Sequence, residues 1–283
     1  MATLRKIRQK IKSTKAIAKT TKAMYTISSV KFQKAHVEMS GSEPYHQRIQ
    51  QLLFDTLNKT KESHILLQNN VSNKEGLLVI TSDKGLCGSY NTVIIKKAME
   101  YIISNRNKEL KILTVGKKGR DYFKRNWILI TSEYFNIFKK LTSLQANIIS
   151  DEIIKLFLEE KISKFSVIYS EYKSLFSQPV VMKQLLPIEK VKVNELQFDF
   201  IYEPAKEIII DTLLNRYLKA NLYHILIEAY TSEIAARRNA MDNANSNASD
   251  LIDDLTIHLN NLRQQKITEE LTEIIGSIEA GRT

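Results

Sequence analysis

Between Ala205 and Gly276 the chain contains neither glycine nor proline, and the same holds between Ala2 and Gly41. These residues are the main interrupters of helices, and only 8 Gly and 4 Pro occur in all 283 residues. Both ends can therefore be long helices. At about 1.5 Å per residue the C-terminal run would reach roughly 100 Å, longer than a compact domain is wide. A helix of that length has to extend beyond any globular core it helps to build.

Such helices need a partner, and the spacing of small and apolar residues supplies a seam. Leu4, Ile7, Ile11, Thr14, Ala18, Thr21, Tyr25, Ser28, Phe32 and Ala35 succeed one another at alternating steps of three and four, the pattern of a coiled coil. The middle of this seam is small and polar, so the helices can approach closely while burying little apolar area. The C-terminal run repeats the economy with Ile225, Ala229, Ser232 and Ala236 along one stripe, then Ala240, Ala244 and Ala248. Larger anchors follow at Leu251, Leu255, Leu259, Leu262, Ile267, Leu271, Ile274 and Ile278. Residues 243–250 (NANSNASD) have the composition of a loop, but the alanine spacing stays helical across them.

The middle of the chain alternates between strand and helix signals. Residues 76–82 (GLLVITS), 110–115 (LKILTV), 165–169 (FSVIY) and 180–186 read as strands; 91–105, 117–126 and 141–161 read as helices. This alternation predicts a largely parallel sheet with helices on its faces. The expected architecture is α/β: a long antiparallel coiled coil of N- and C-terminal helices with an inserted Rossmann-like domain. The corresponding segments are a coiled-coil helix over 1–60, an α/β domain over 72–203 and a second coiled-coil helix over 204–283.

Charge and cysteine content narrow the function classes. The net charge of +11 is concentrated at the start, where Arg5, Lys6, Arg8, Lys10, Lys12, Lys15, Lys19, Lys22, Lys31 and Lys34 precede the first acid, Glu38. A concentrated positive face calls for an acidic partner: nucleic acid, an anionic membrane or an acidic protein loop. The single cysteine, Cys87, excludes an intramolecular disulfide framework. No run approaches the 18 apolar residues of a membrane span, and no signal-peptide core follows the basic start. The acid-poor N-terminus shares features with a transit peptide, though it is rich in Lys rather than Arg.

Catalytic signatures are missing. No GxGxxG opens a helix and no GxxxxGK[ST] follows a strand. The stretch 85–88 (GLCG) sits where a phosphate loop would sit, beside Ser82, Asp83 and Lys84, but its spacing fits a tight turn. Cys87 has no His within its motif to act as a base. Residues 116–120 (GKKGR) form a second Gly/basic turn that could seat an anion at a helix N-terminus or be a plain basic loop. His36, His46, His64, His224 and His258 show no metal-ligand spacing. The residues predict no catalytic centre, no cofactor and no metal.

The same residues carry a family resemblance. The opening 4–24 (LRKIRQKIKSTKAIAKTTKAM), with Thr21-Lys22-Ala23-Met24, resembles the start of bacterial-type ATP synthase gamma subunits, and 81–91 (TSDKGLCGSYN) resembles the turn after the first strand of their α/β domain. The end is similar too: Ser232-Glu233, Ala235-Ala236-Arg237, Ala240-Met241-Asp242-Asn243-Ala244, Asn247-Ala248, Arg263-Gln264, Ile267-Thr268, Glu270-Leu271 and Glu273-Ile274-Ile275. Thr20, Ser29-Val30, Ile234 and Ser277 depart from the family pattern without introducing a helix breaker.

The resemblance implies a non-catalytic central-stalk rotor that carries torque between a membrane c-ring and a catalytic hexamer of alpha and beta subunits, beside an epsilon subunit. It implies no nucleic acid, indirect membrane association, and a place on the cytoplasmic face of the bacterial inner membrane. Because the motif begins at residue 4, no cleaved leader is expected; nor is the thiol switch of chloroplast relatives. Lys22, Met24, Arg263, Gln264, Ile267, Thr268, Glu270 and Leu271 match positions facing the catalytic head. Ser82, Asp83, Lys84 and Cys87 are expected toward the ring or epsilon side. The alternative reading of the basic coil is a nucleic-acid-binding protein, although interleaved aromatics and base-reading arginines are missing. A nucleotide-binding enzyme is disfavoured by the missing phosphate motifs.

Overall fold

The computed structural model describes residues 2–58, 64–68, 70–189, 203 and 205–280. The edges of the expected segments at 59–60, 190–202, 204 and 281–283, and the side chain of Ile278, lie outside that description. The elements run α1 (Ala2–Asn58), β1 (Lys74–Ile80), α2 (Tyr90–Ser104), β2 (Glu109–Val115), α3 (Lys117–Arg125), β3 (Ser132–Tyr134), α4 (Ser143–Glu159), β4 (Lys164–Ser170), β5 (Val180–Leu186) and α5 (Lys206–Ala280). Two compact units result: Met1–Ser28 with Arg238–Thr283, and Ser29–Arg237. The fold class agrees with the sequence reading, and α1 and α5 pass through both units.

In Ser29–Arg237 the sheet has the order β3-β2-β1-β4-β5. β1 is parallel to β2 and β4, β2 is parallel to β3, and β5 returns antiparallel to β4. The short edge strand β3 was not visible in the sequence, because three residues carry no alternation to read. After Lys74 and Glu75, β1 is apolar to its end because both of its faces are covered. Leu78 and Ile80, with Leu113, Val115, Val167 and Tyr169, face one core shared with α4 and with parts of α1 and α5. Leu77 and Val79, with Ile112 and Ile168, face a second core closed by α2 and by Phe123 of α3. The period-2 alternation of a strand thus sorts adjacent residues into opposite layers. α4 begins with a capping box in which the Gln145 side chain accepts from the Thr142 backbone N–H at 2.8 Å.

α1 continues through Gly41 and Pro44 to Asn58. Proline removes one helical hydrogen bond, to the carbonyl four residues back. Here that carbonyl belongs to Ser40, and Ser40 and Pro44 are both exposed, so water can substitute for the lost donor. In this unit α1 and α5 run antiparallel. Thr231 Oγ1 donates to the Ala35 carbonyl at 3.3 Å, and Ser42 Oγ lies 3.3 Å from His224 Nδ1. Seven residues forward on α1 are met by seven residues backward on α5.

In the unit of Met1–Ser28 with Arg238–Thr283, Ile7, Thr14, Thr21 and Ser28 of α1 are buried at strict seven-residue intervals. Leu4, Ile11, Ala18 and Tyr25 are half-buried between them. Buried threonines are tolerable because their hydroxyls bond their own helix: Thr14 Oγ1 donates to the Lys10 carbonyl at 2.9 Å and Thr21 Oγ1 to the Ile17 carbonyl at 3.1 Å. Arg238 crosses the seam to Tyr25, donating to its hydroxyl at 3.1 Å with the guanidinium 5.3 Å from the ring centre. On α5 the covered stripe runs through Met241, Ala244, Ala248, Ile252, Leu255, Leu259 and Leu262. Four expected anchors are corrected: Leu251 is 39% exposed and Ile252 takes its place, because the three-four alternation from Ala248 steps to 252 and 255, and Ile267, Leu271 and Ile274 are 46–55% exposed beyond the end of the stripe. α5 stays helical across 243–250.

Gly116 fixes the link from β2 to α3. Its φ is +91°, and a Cβ there would stand 2.2 Å from the Thr81 carbonyl oxygen. Gly116→Ala is expected to destabilise the chain by about 1–3 kcal/mol through backbone strain and overpacking. Gly85→Ala, whose Cβ would meet nothing nearer than Lys118 at 3.7 Å, serves as the near-neutral control in urea denaturation of the full chain.

Candidate functional site

In open α/β sheets ligands bind beyond the carboxyl ends of the strands, where the strand order reverses direction. Here that place lies between β1 and β4, and the chain fills it with its own α5. Tyr169 at the end of β4 donates to Glu228 Oε2 at 2.6 Å, and burial pushes the Glu228 carboxyl up. Tyr90, at the start of α2, donates to the Ala229 carbonyl at 3.0 Å. Arg237 then reaches the loop after β1: Nη2 donates to the Lys84 carbonyl at 3.0 Å and Nε to the Gly85 carbonyl at 3.3 Å. Its Nη1 pairs with Glu233 Oε1 at 2.6 Å. Glu233 is buried, which raises its carboxyl against the opposing pull of Arg237.

The loop itself is closed by internal bonds. Ser82 N–H donates to Asn91 Oδ1 at 2.9 Å, and Asn91 Nδ2 donates to Ser82 Oγ at 2.7 Å and to Cys87 Sγ at 3.1 Å. Asp83 is held by two backbone donors, Lys117 N–H at 3.2 Å and Asn136 N–H at 2.9 Å. The N-terminus of α3, considered above as an anion seat, is therefore occupied from within. Lys118 N–H goes to the Ser82 carbonyl at 3.0 Å and Gly119 N–H to Thr81 Oγ1 at 2.9 Å, so the orphan donors that would bind a phosphate are taken. Cys87 is 2% exposed and burial pushes its thiol up, the opposite of an activated nucleophile.

Ser82 and Cys87 thus lie inside the loop and Asp83 is half-buried; Lys84, Leu86, Gly88 and Ser89 face solvent. The Arg237–Glu233 lock had no separate signal in the sequence beyond the family match of both residues, since its loop partners are backbone carbonyls.

The residues matched to the catalytic head occupy two places in the other unit. Lys22 is exposed and Met24 half-buried on α1, and all ten basic residues of the opening segment are exposed. Arg263 and Gln264 are exposed on α5 just past Leu262, where the covered stripe gives way to a mostly exposed helix. Beyond them Ile267, Leu271, Ile274 and Ile275 stand 46–59% exposed. Thr268 Oγ1 donates to the Gln264 carbonyl at 3.0 Å, and Glu270 pairs with Lys266 at 3.4 Å within the helix. Four large apolar side chains in so short an exposed stretch call for an external surface.

Comparison with known proteins agrees with this geometry. The profile of the family described as ATP synthase matches residues 3–280. The ATP synthase gamma chain of Halothermothrix orenii is 38% identical over 290 residues, covering 99% of both chains, and that of Elusimicrobium minutum is 35% identical over 300 residues with the same coverage. A chain of the Euglena gracilis mitochondrial ATP synthase superposes with a TM-score of 0.71 at 20% identity, covering 99% of this chain and 94% of its own length. A chain from the central stalk and c-ring structure of the Tetrahymena thermophila enzyme gives 0.63 at 25% identity, covering 80% of this chain and 99% of its own.

The α/β fold with its long terminal helices, the family match over residues 3–280 and the two gamma-chain relatives together define a non-catalytic subunit of an ATP synthase. The chain belongs to the ATP synthase family as a gamma chain, the rotor of the central stalk. Among the described residues no helix is long and apolar enough to cross a membrane, and the chain is a peripheral subunit of a membrane-bound complex.

Removing the Arg237 side chain would leave Glu233 buried without its partner. Arg237→Met is expected to destabilise the protein by roughly 3–5 kcal/mol, and adding Glu233→Leu to recover much of that loss. A double-mutant cycle in urea reads both; a single-variant effect below about 1 kcal/mol would remove Arg237 from this role.

Proposed function

We propose that the chain works at the cytoplasmic face of a bacterial inner membrane, with α5 residues 263–280 as the bearing inside the catalytic hexamer of alpha and beta subunits. The observation that carries this reading is the sequence of burial along α5. Covered positions end at Leu262 with one half-buried exception, Lys266, and the helix then continues with Ile267, Leu271, Ile274 and Ile275 exposed. Large apolar side chains repeated along an exposed helix mark a surface that another protein covers, and a surrounding sleeve would do so. An apolar contact with few fixed hydrogen bonds suits a surface that must turn against its sleeve.

Arg263, Gln264, Thr268 and Glu270 would meet a loop of a catalytic subunit through exposed polar groups beside this apolar strip. Lys22, Met24 and the other basic residues of α1 would face acidic loops of the head. Lys84, presented by a loop locked to α5 through Arg237, is the exposed member of the group assigned to the c-ring and epsilon side; Ser82, Asp83 and Cys87 would act there by holding the loop. On this reading the functional segments are 1–60, 72–203 and 204–283.

Energetics set the mechanical task. One charge crossing about 100 mV releases about 2.3 kcal/mol, so several crossings must be accumulated for each ATP. A shaft shared by three equivalent catalytic sites holds them in different states as it turns, which couples rotation to binding and release.

The reading is tested by tagging the chain and purifying it gently from native membranes. A large assembly with ATPase activity and one copy of this chain is expected; recovery alone or with nucleic acid would overturn it. Within the assembly, Arg263→Ala is expected to reduce ATP-driven proton pumping severalfold with the circular dichroism of the chain unchanged. Undiminished pumping would remove Arg263 from the coupling contact.

A further inference from the structure

We propose that Glu43 and His46 of α1 and His224 of α5 form a binding site for a divalent transition-metal ion of the zinc class, joining the two helices within the α/β unit. This goes beyond the rotor role and does not depend on it. Glu43 and His46 are one turn apart on α1 and so share a face; the antiparallel pairing brings His224 of α5 against them. The ligand atoms of the three side chains lie within 4.8 Å of one another. The two imidazoles stack with ring centres 4.7 Å apart and planes 5° from parallel, and Glu43 Oε2 is 3.2 Å from His224 Nε2.

Three observations favour a ligand here over a packed histidine pair. Neither buried ring nitrogen of His46 makes a well-formed hydrogen bond; the Asn221 side chain offers the ring a single weak one. A buried polar atom left short of partners is costly, and a bound ion would complete one of these nitrogens. Ser42 Oγ lies 3.3 Å from His224 Nδ1, the outer contact that fixes a ligating imidazole and leaves Nε2 toward the ion. The Glu43 side chain is 43% exposed while that of His224 is 14% exposed, so an ion can enter from solvent past the carboxylate.

Two imidazoles and one carboxylate select zinc, cobalt, nickel or copper over magnesium or calcium. A fourth position would be left to water. Bonds of about 2.0–2.1 Å around a tetrahedral ion need ligand atoms about 3.4 Å apart, and because a ring nitrogen's lone pair lies in the ring plane, the stacked imidazoles must turn out of parallel to share the ion. Lys183 of β5 also faces the rings; its charge is offset by Glu171 at 2.8 Å. An ion at this place would cross-link α1 to α5 and stabilise the folded chain by mass action.

The test is titration of the full, metal-stripped chain with Co²⁺, followed by displacement with Zn²⁺. One equivalent is expected, with the visible absorption of four-coordinate cobalt and a rise in melting temperature on adding Zn²⁺. His46→Ala and His224→Ala should each lose the absorption band, while His258→Ala, an exposed histidine of the other unit, should retain it. Because the buried histidines also pack, Glu43→Gln provides a variant that preserves shape; it should weaken binding roughly tenfold or more with unchanged circular dichroism. No stoichiometric binding by the parent chain, or binding undiminished in Glu43→Gln, would overturn the proposal.

Discussion

The burial of one end of α5 against the sheet is the interaction on which the rest of the structure depends. Starting a helix is unfavourable by about 4 kcal/mol, corresponding to a nucleation constant near 10⁻³. Ile210, Leu214, Leu218, Leu222, Ile225 and Leu226 are all nearly inaccessible in the core of the α/β unit. At about 1.5–3 kcal/mol for each such side chain, their burial exceeds the nucleation term severalfold. Extension is then nearly neutral per residue, so the same helix can continue across 238–280 with much less burial. The weak helix formers of 243–250 are carried in this way, with Ala244 and Ala248 on the covered stripe.

Small seam residues are the complement of that arrangement. A seam of Ile7, Thr14, Thr21 and Ser28 gives up most of the stabilisation that leucines would bring. In return it brings two backbones close together, because threonine and serine side chains are short and the buried threonine hydroxyls satisfy themselves on their own helix. Less apolar surface committed within the pair also means that less of the pair's order is set from inside, which fits a part that works against an external sleeve.

Much of this was legible in the sequence because it follows from period and punctuation. The gaps between glycines and prolines marked the long helices, the three-four steps marked the α1 seam, and the continuous apolar runs marked β1, β2 and β4. What was not legible depended on distance in three dimensions. β3 is too short to show a period. Leu251 and Ile252 are equally apolar, so only the packed helix could decide between them. Arg237 binds backbone carbonyls, which leave no trace in residue type. His46 and His224 stand far apart in sequence, and their meeting depends on the helix register fixed at Ala35 and Thr231. Asp83 is held by the backbone N–H groups of Lys117 and Asn136, contacts that residue type alone does not announce.

The closing of the crevice explains how an α/β architecture can serve a mechanical role. The two features that make such folds bind nucleotides are open strand ends and unpaired amides at a helix N-terminus. In this chain the first is covered by α5 through Tyr90, Tyr169 and Arg237, and the second is filled by Asp83, Ser82 and Thr81. The polar groups that would have held a ligand instead tie the loop after β1 to α5. A load applied at exposed Lys84 or Leu86 would therefore pass into α5 through the Arg237 hydrogen bonds to the Lys84 and Gly85 carbonyls and its ion pair with Glu233, without the give of an empty cleft. The loss of a ligand site and the gain of a stiff joint are the same structural change.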